Sequence, residues 1–178
     1  NNILRYYGIG AQIIKDFSIK KMTLVSRSKK KIIGLEGFGI KIIKQEIIKW
    51  KKKLLIVASN YYKDITHNLI KGATKQLRIS KKNITIIKVP GTFEIPVVIS
   101  KNLRRFDGFL VLGCVIKGET PHFDFICNST FISILNLSVK SKKPIGNGII
   151  TALNMAQAKK RSKIKGKEAA IAVTEVFK

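Results

Sequence analysis

Acidic side chains are scarce in this chain: ten Asp and Glu stand against 35 Lys and Arg in 178 residues, a formal charge of +25. The excess invites a nucleic-acid reading, because Lys and Arg neutralise phosphates and release counterions. Its distribution argues otherwise. Residues 1–50 hold 11 basic and 3 acidic side chains and the remainder 24 and 7, so the charge is spread along the chain. Nor are aromatics interleaved with basic residues, as a single-strand stacking platform requires. A Lys-rich solvated surface is expected, with no nucleic-acid partner and a general attraction for phosphate-bearing small substrates.

Cysteine and histidine are equally sparse. Cys114, Cys127, His67 and His122 form no metal-type spacing, so no metal site is expected, and the thiols are expected to be reduced. No run approaches the ~18 apolar residues that suggest a membrane span. A charged-then-apolar leader is also missing, and a cytoplasmic setting with no membrane partner is expected. The chain starts at Asn1 rather than Met, as a fragment or processed piece would. What is present suffices for a core: 45% of residues are hydrophobic, enough for one good-sized domain or a domain with an appendage.

The lysine-rich run at 49–53 reads as a linker, and beyond it the pattern alternates strand and helix four times. Lys53–Ser59 and Gly108–Ile116 are short apolar runs of the buried parallel type, and Asn83–Val89 and Ile145–Thr151 read as two further strands. Between them, helical spacing is carried by Ile65, Leu69, Ala73 and Leu77, then by 94–103 and by 123–139. Two further helical stretches, 156–161 and 167–177, close the chain. This order predicts an α/β fold, a parallel sheet with right-handed crossovers and helices on both faces. Ligands of such sheets bind outside the carboxyl ends of the strands, so the chemistry is expected in the loops that follow them.

Those loops hold the unusual residues. Asn60, Tyr61 and Tyr62 follow the first strand, where an aromatic either covers a flat heterocycle or packs its own helix. The second loop runs from Val89 through Pro90, Gly91, Thr92, Phe93, Glu94 and Ile95 to Pro96. Two prolines and a glycine restrict the backbone there, and Glu94 either faces a polyol or serves as a first-turn helix charge. The third loop, from Gly113 to Phe123, has a Gly-containing turn entering a helix N-terminus, a natural phosphate cradle, with Thr120 as an extra donor. His122 beside it is a candidate proton shuttle. Arg161 either closes on the same phosphate with its guanidinium fork or lies on a helix surface. These residues describe a small α/β enzyme for a phosphorylated substrate, using acid–base chemistry without a metal, its reaction open.

Taken together, Val89–Pro96, Gly113–Phe125 and the closing pattern Gln157-Ala158, Arg161, Lys165-Gly166, Glu168-Ala169-Ala170 resemble the 6,7-dimethyl-8-ribityllumazine synthases from Lys53 to Lys178. The resemblance implies a three-layer α/β/α, flavodoxin-like fold with a four-stranded parallel sheet. It implies condensation of 5-amino-6-ribitylaminouracil with 3,4-dihydroxy-2-butanone 4-phosphate, losing phosphate and water, as the penultimate step of riboflavin biosynthesis. No cofactor is implied, since the substrate's own amine attacks the ketone. By resemblance Tyr61 stacks on the pyrimidine, while the backbone of Thr92 and Phe93 and the Glu94 carboxylate hold the ribityl hydroxyls. Val115 and Ile116 line the ring pocket. Gly118, Glu119 and Thr120, facing Arg161, take the phosphate, and His122 transfers protons. Lys165 falls near the site, and Asn147 matches a position supplied by a neighbouring subunit. A homo-oligomer is implied, a pentamer or a 60-subunit shell, with riboflavin synthase as a candidate partner. An inactive shell-forming scaffold of the same fold is the alternative. This chain departs from the commoner family pattern at Tyr62, Thr92, Lys117, Leu153 and Ile164.

Residues 1–48 resemble something else. Tyr7–Ile14, Lys21–Val25 and Gly34–Ile40 are similar to the carboxyl-terminal end of GTP cyclohydrolase II, an earlier enzyme of the same pathway. Arg5 matches its catalytic arginine and Lys30 a GTP-contacting lysine, but Ile3 stands where Asp is expected and Ser26 where Thr is. The zinc-binding portion lies outside the resemblance. A small, catalytically inert α/β remnant is expected, one that buries little surface by itself.

Overall fold

A computed structural model describes residues 8–26, 35–47, 52–77 and 79–177. Ile3, Arg5, Lys30 and most of the expected linker lie outside the described residues. The chain separates into two compact units, Asn1–Trp50 and Lys51–Lys178.

In the first unit, α1 (Gly8–Asp16) precedes β1 (Lys21–Ser26) and β2 (Lys41–Ile47), which pair in parallel with a register shift between Met22 and Thr23. A single 3-10 turn, Glu36–Phe38, leads into β2. Ala11, Leu35 and Ile40 are buried together, with Ile14, Met22, Phe38 and Ile42 against them. That cluster is small. Ile9 and Ile13, spaced four apart on the opposite side of α1, stay exposed, as does Phe17 just past its end.

The second unit continues with β3 (Leu54–Ser59), α2 (Lys63–Gln76), β4 (Ile84–Val89), α3 (Ile95–Asn102), β5 (Gly108–Ile116), α4 (His122–Ser141), β6 (Ile145–Ala152) and α5 (Met155–Val176). The sheet order is β4-β3-β5-β6 and every pairing is parallel. The expected α/β architecture with a four-stranded parallel sheet is present. All six residues of β3 are buried, and so are the first seven of β5. This explains why the central strands read as continuous apolar runs rather than alternating ones.

The pleat sends alternate residues to opposite layers. Leu55, Val57, Phe109, Val111 and Ile149 pack with Ile95 and Ile99 of α3 and Ile134 of α4. On the other side, Leu110 and Leu112 lie beside Ala169 of α5, with Gly146 and Gly148 between them. Each Leu, Ile or Phe so enclosed stabilises the fold by about 1.5–3 kcal/mol relative to exposure.

The edge that receives the helices' returning chains is stapled by polar groups. The Lys53 amide donates to the Asp107 carboxylate at 2.7 Å and the Asp107 amide to the Lys53 carbonyl at 2.9 Å. The Lys143 ammonium donates to the Leu103 and Phe106 carbonyls, both at 2.6 Å, closing the end of α3. No helix among the described residues is long and apolar enough to cross a membrane.

One expectation needs correction. The two helical stretches read at 156–161 and 167–177 are a single helix, α5, of 22 residues. Gly166 does not interrupt it but lies where α5 crosses α2. A Cβ added there would sit 2.1 Å from the Leu69 carbonyl oxygen. One turn earlier the Asn68 amide donates to the buried Ser162 hydroxyl at 3.3 Å. Helix propensity favours Gly166→Ala by about 1 kcal/mol, yet the added methyl meets backbone that cannot rotate away, and such overpacking costs about 1–3 kcal/mol or more. The expected net outcome in urea denaturation is a loss of about 2 kcal/mol; an unchanged or raised midpoint would refute this account of the crossing.

Candidate active site

Parallel pairing in matched register brings all four strand ends to one edge. Two backbone bonds lace it: the Asn60 amide donates to the Val89 carbonyl at 2.8 Å, joining the exits of β3 and β4. The Lys117 amide donates to the Ala152 carbonyl at 2.9 Å, joining those of β5 and β6. The loops singled out from the sequence all leave from this edge.

After β3, the turn is held by the Thr66 hydroxyl, which donates to the carbonyls of Ser59 at 2.5 Å and Tyr62 at 3.0 Å. Tyr61 projects outward, 72% exposed, and meets Tyr62 edge-on with ring centroids 4.9 Å apart. Tyr62 is half-buried, and its phenol is raised above the usual range by burial first, then by Tyr61 and Cys114. The two adjacent rings thus divide the roles weighed for them. Tyr62 packs inward, and Tyr61 offers a free face.

The loop after β4 is self-bound. The Gly91 amide donates to Glu94 Oε2 at 2.9 Å, and the Ile95 amide to the Thr92 carbonyl at 3.2 Å. Glu94 sits just before α3, whose first turn holds Pro96. Its carboxylate therefore has one oxygen committed to its own loop. Thr92 is buried, while Phe93 is exposed.

The third loop begins with the half-buried Val115 and Ile116 at the end of β5. Gly118, Glu119 and Thr120 are exposed, as is His122, the first residue of α4. Pro121 occupies the cap position, and its carbonyl accepts from the Asp124 and Phe125 amides at 3.0 and 3.3 Å. The turn consequently presents backbone and hydroxyl donors to the outside, next to an imidazole.

After β6, Asn154 caps α5. Its side chain accepts from the Gln157 amide at 3.0 Å, and the Gln157 side chain accepts from the Leu153 amide at 3.0 Å. The sequence reading missed this reciprocal cap, although the Asn-x-x-Gln spacing signals it. Arg161 is exposed about 9 Å along α5 from Met155, and Lys165 about 15 Å, at the usual helical rise. Lys165 is partly covered and stands 3.6 Å from Glu168. Asn147 does not join the group. It lies mid-strand in β6, five residues before Ala152 and so about 16 Å from the rim. Its Oδ1 accepts from the Ile149 amide at 3.0 Å.

Residues 51–178 match the family model for 6,7-dimethyl-8-ribityllumazine synthase, and residues 1–47 that for GTP cyclohydrolase II. The 6,7-dimethyl-8-ribityllumazine synthase of Limosilactobacillus reuteri (strain DSM 20016) is 42% identical over 120 residues, 65% of this chain and 79% of that protein. The one from Bartonella tribocorum (strain CIP 105476 / IBS 506) is 40% identical over 116 residues, covering 64% and 77%. That of Blochmanniella pennsylvanica (strain BPEN) is 37% identical over 147 residues, covering 76% and 92%.

Beneath the rim, burial above all, with the neighbouring Cys127, pushes the Cys114 thiol up to about 11 from its ordinary 9.0. Between those values the unfolded chain releases this proton while the folded one keeps it. Stability from this group is therefore complete below pH 9.0 and declines as pH rises through about 11. Denaturation midpoints measured from pH 8 to 11 are expected to fall less steeply in Cys114→Ala than in the native chain; parallel slopes would remove Cys114 from the effect.

Proposed function

The chain belongs to the 6,7-dimethyl-8-ribityllumazine synthase family, and we propose that the strand-end rim of its residues 53–178 is where the two substrates of that reaction are joined. The observation that carries this reading is the lacing of the four strand exits. It holds an exposed aromatic, a loop-bound carboxylate, an amide-rich turn and a histidine along one edge.

Tyr61 covers the pyrimidine of 5-amino-6-ribitylaminouracil with its free face, and Val115 and Ile116 form the apolar wall. The amides of Thr92 and Phe93 and the uncommitted oxygen of Glu94 take the ribityl hydroxyls. The phosphate of 3,4-dihydroxy-2-butanone 4-phosphate lies against Gly118, Glu119 and Thr120, where Arg161 supplies the positive charge that Glu119 does not. The substrate amine then attacks the ketone and forms an imine as the ketone oxygen leaves as water, phosphate departs by elimination, and ring closure releases a second water. Each step moves a proton, and His122, at the start of α4 beside the phosphate turn, carries it. Much of the acceleration comes from holding two reactive molecules in apposition. Residues 1–48 take no part in this chemistry.

The enzyme works as a cytoplasmic homo-oligomer built on pentamers. Phe125, Ile132, Leu135 and Val139 are exposed on α4. Their spacing of seven, three and four forms an apolar seam of the kind helices use to pair. Val97 of the neighbouring α3 is exposed as well, as is Phe93 just before that helix. The remote position of Asn147 on its own strand, with Lys165 well down α5, suits sites completed by a second copy.

Two measurements test this. With both substrates present, lumazine absorbance and phosphate release are expected to appear together, and His122→Ala to slow both by roughly 10²-fold. An unchanged rate would remove His122 from the mechanism, and no turnover by a correctly assembled native oligomer would favour the scaffold alternative. In sedimentation, Leu135→Lys is expected to shift the assembly to smaller species; native mass in that variant would place the interface elsewhere.

A further inference from the structure

We propose that Gly113 is a positioning residue: the side chain it lacks leaves a notch at the base of the rim that seats the Thr92 methyl, and this seat sets where the loop after β4 presents Phe93 and Glu94. The inference rests on the reading of Phe93 and Glu94 as ribityl contacts and asks what holds them in place.

A Cβ at Gly113 would lie 2.7 Å from Thr92 Cγ2, 3.1 Å from Ser59 Cβ and 3.8 Å from Ile149 Cγ1. Carbon atoms prefer about 3.5–4.0 Å, so the notch is filled already, chiefly by the Thr92 methyl. Its other walls do not yield. Ser59 ends a strand buried along its whole length, and Ile149 is 4% exposed in β6. The Ser59 side chain contributes packing to this corner, since its buried hydroxyl has no hydrogen-bond partner among the described residues.

The loop above is tied to itself by hydrogen bonds. Gly91 is tied to Glu94 and Thr92 to Ile95, so displacing Thr92 carries Phe93 and Glu94 along. Relieving a 2.7 Å approach requires a shift of nearly 1 Å, and misplacement on that scale costs up to about 10²-fold in rate. The phosphate turn is insulated from the shift, since it begins beyond Lys117, which is bonded to Ala152 of β6.

The test is a cycle in the full chain of native protein, Gly113→Ala, Thr92→Ser and the double variant, with each substrate varied in turn. Gly113→Ala is expected to raise KM for 5-amino-6-ribitylaminouracil by about tenfold, to lower kcat by less, and to leave KM for the butanone phosphate within about twofold. Thr92→Ser removes the obstructing methyl, so the double variant is expected to recover most of the loss. Equal changes in both KM values, or a double variant no better than Gly113→Ala, would overturn the proposal. Melting points of the same four proteins report on the seat even if Gly113→Ala assembles poorly or the native chain turns over neither substrate. The second case refutes the functional reading by itself, whereas additive melting points refute the seat.

Discussion

Two strands with no face toward water dictate the rest of the second unit. β3 and β5 lie side by side, enclosed by helices on both faces, and there the backbone polar groups find partners only in adjacent strands. Burial on both faces also forbids slippage, because a shift of one residue would exchange every side chain between layers. The register from Leu54↔Gly108 to Ala58↔Leu112 is the outcome. With all strands parallel, their exits align on one side, and the loops of the candidate site have nowhere else to emerge. The rim is thus a consequence of hydrophobic burial rather than of any attraction among the residues that line it.

Close approaches of backbone adjust that frame at separate places. Gly166 lets α5 cross α2 at the Leu69 carbonyl, and Gly113 admits the Thr92 methyl between strand ends. One spaces the outer helices and the other seats a loop. Both act through the absence of a side chain, and neither would be replaced by a stronger attraction elsewhere. The high positive charge contributes little to this architecture. Exposed pairs such as Lys44–Glu46 are worth little in water, and lysine's structural use is local, as where Lys143 closes the end of α3.

Much of the fold was legible because burial leaves a plain record. Continuous apolar runs announced β3 and β5, and the four-residue spacing of Ile65, Leu69 and Ala73 announced α2. The site loops were legible for a related reason: prolines, glycines and a lone histidine stand out between such runs. The division of α5 into two stretches failed because its buried stripe, Ala158, Ser162, Gly166, Ala169, Ala170 and Val173, is made of small residues. Hydrophobic periodicity hardly registers a face whose purpose is close packing.

By itself the sequence determined the four strands of the second unit and the helices between them, their parallel order, and which loops carry the polar residues of the rim, since each follows from local periodicity and chain topology. Only the tertiary structure decided the contacts between distant segments. It sends Tyr62 inward and Tyr61 outward, and lowers Thr92 onto Gly113 between Ser59 and Ile149. Those outcomes turn on a few tenths of an ångström between side chains brought together by the sheet, a distance that no spacing along the chain encodes.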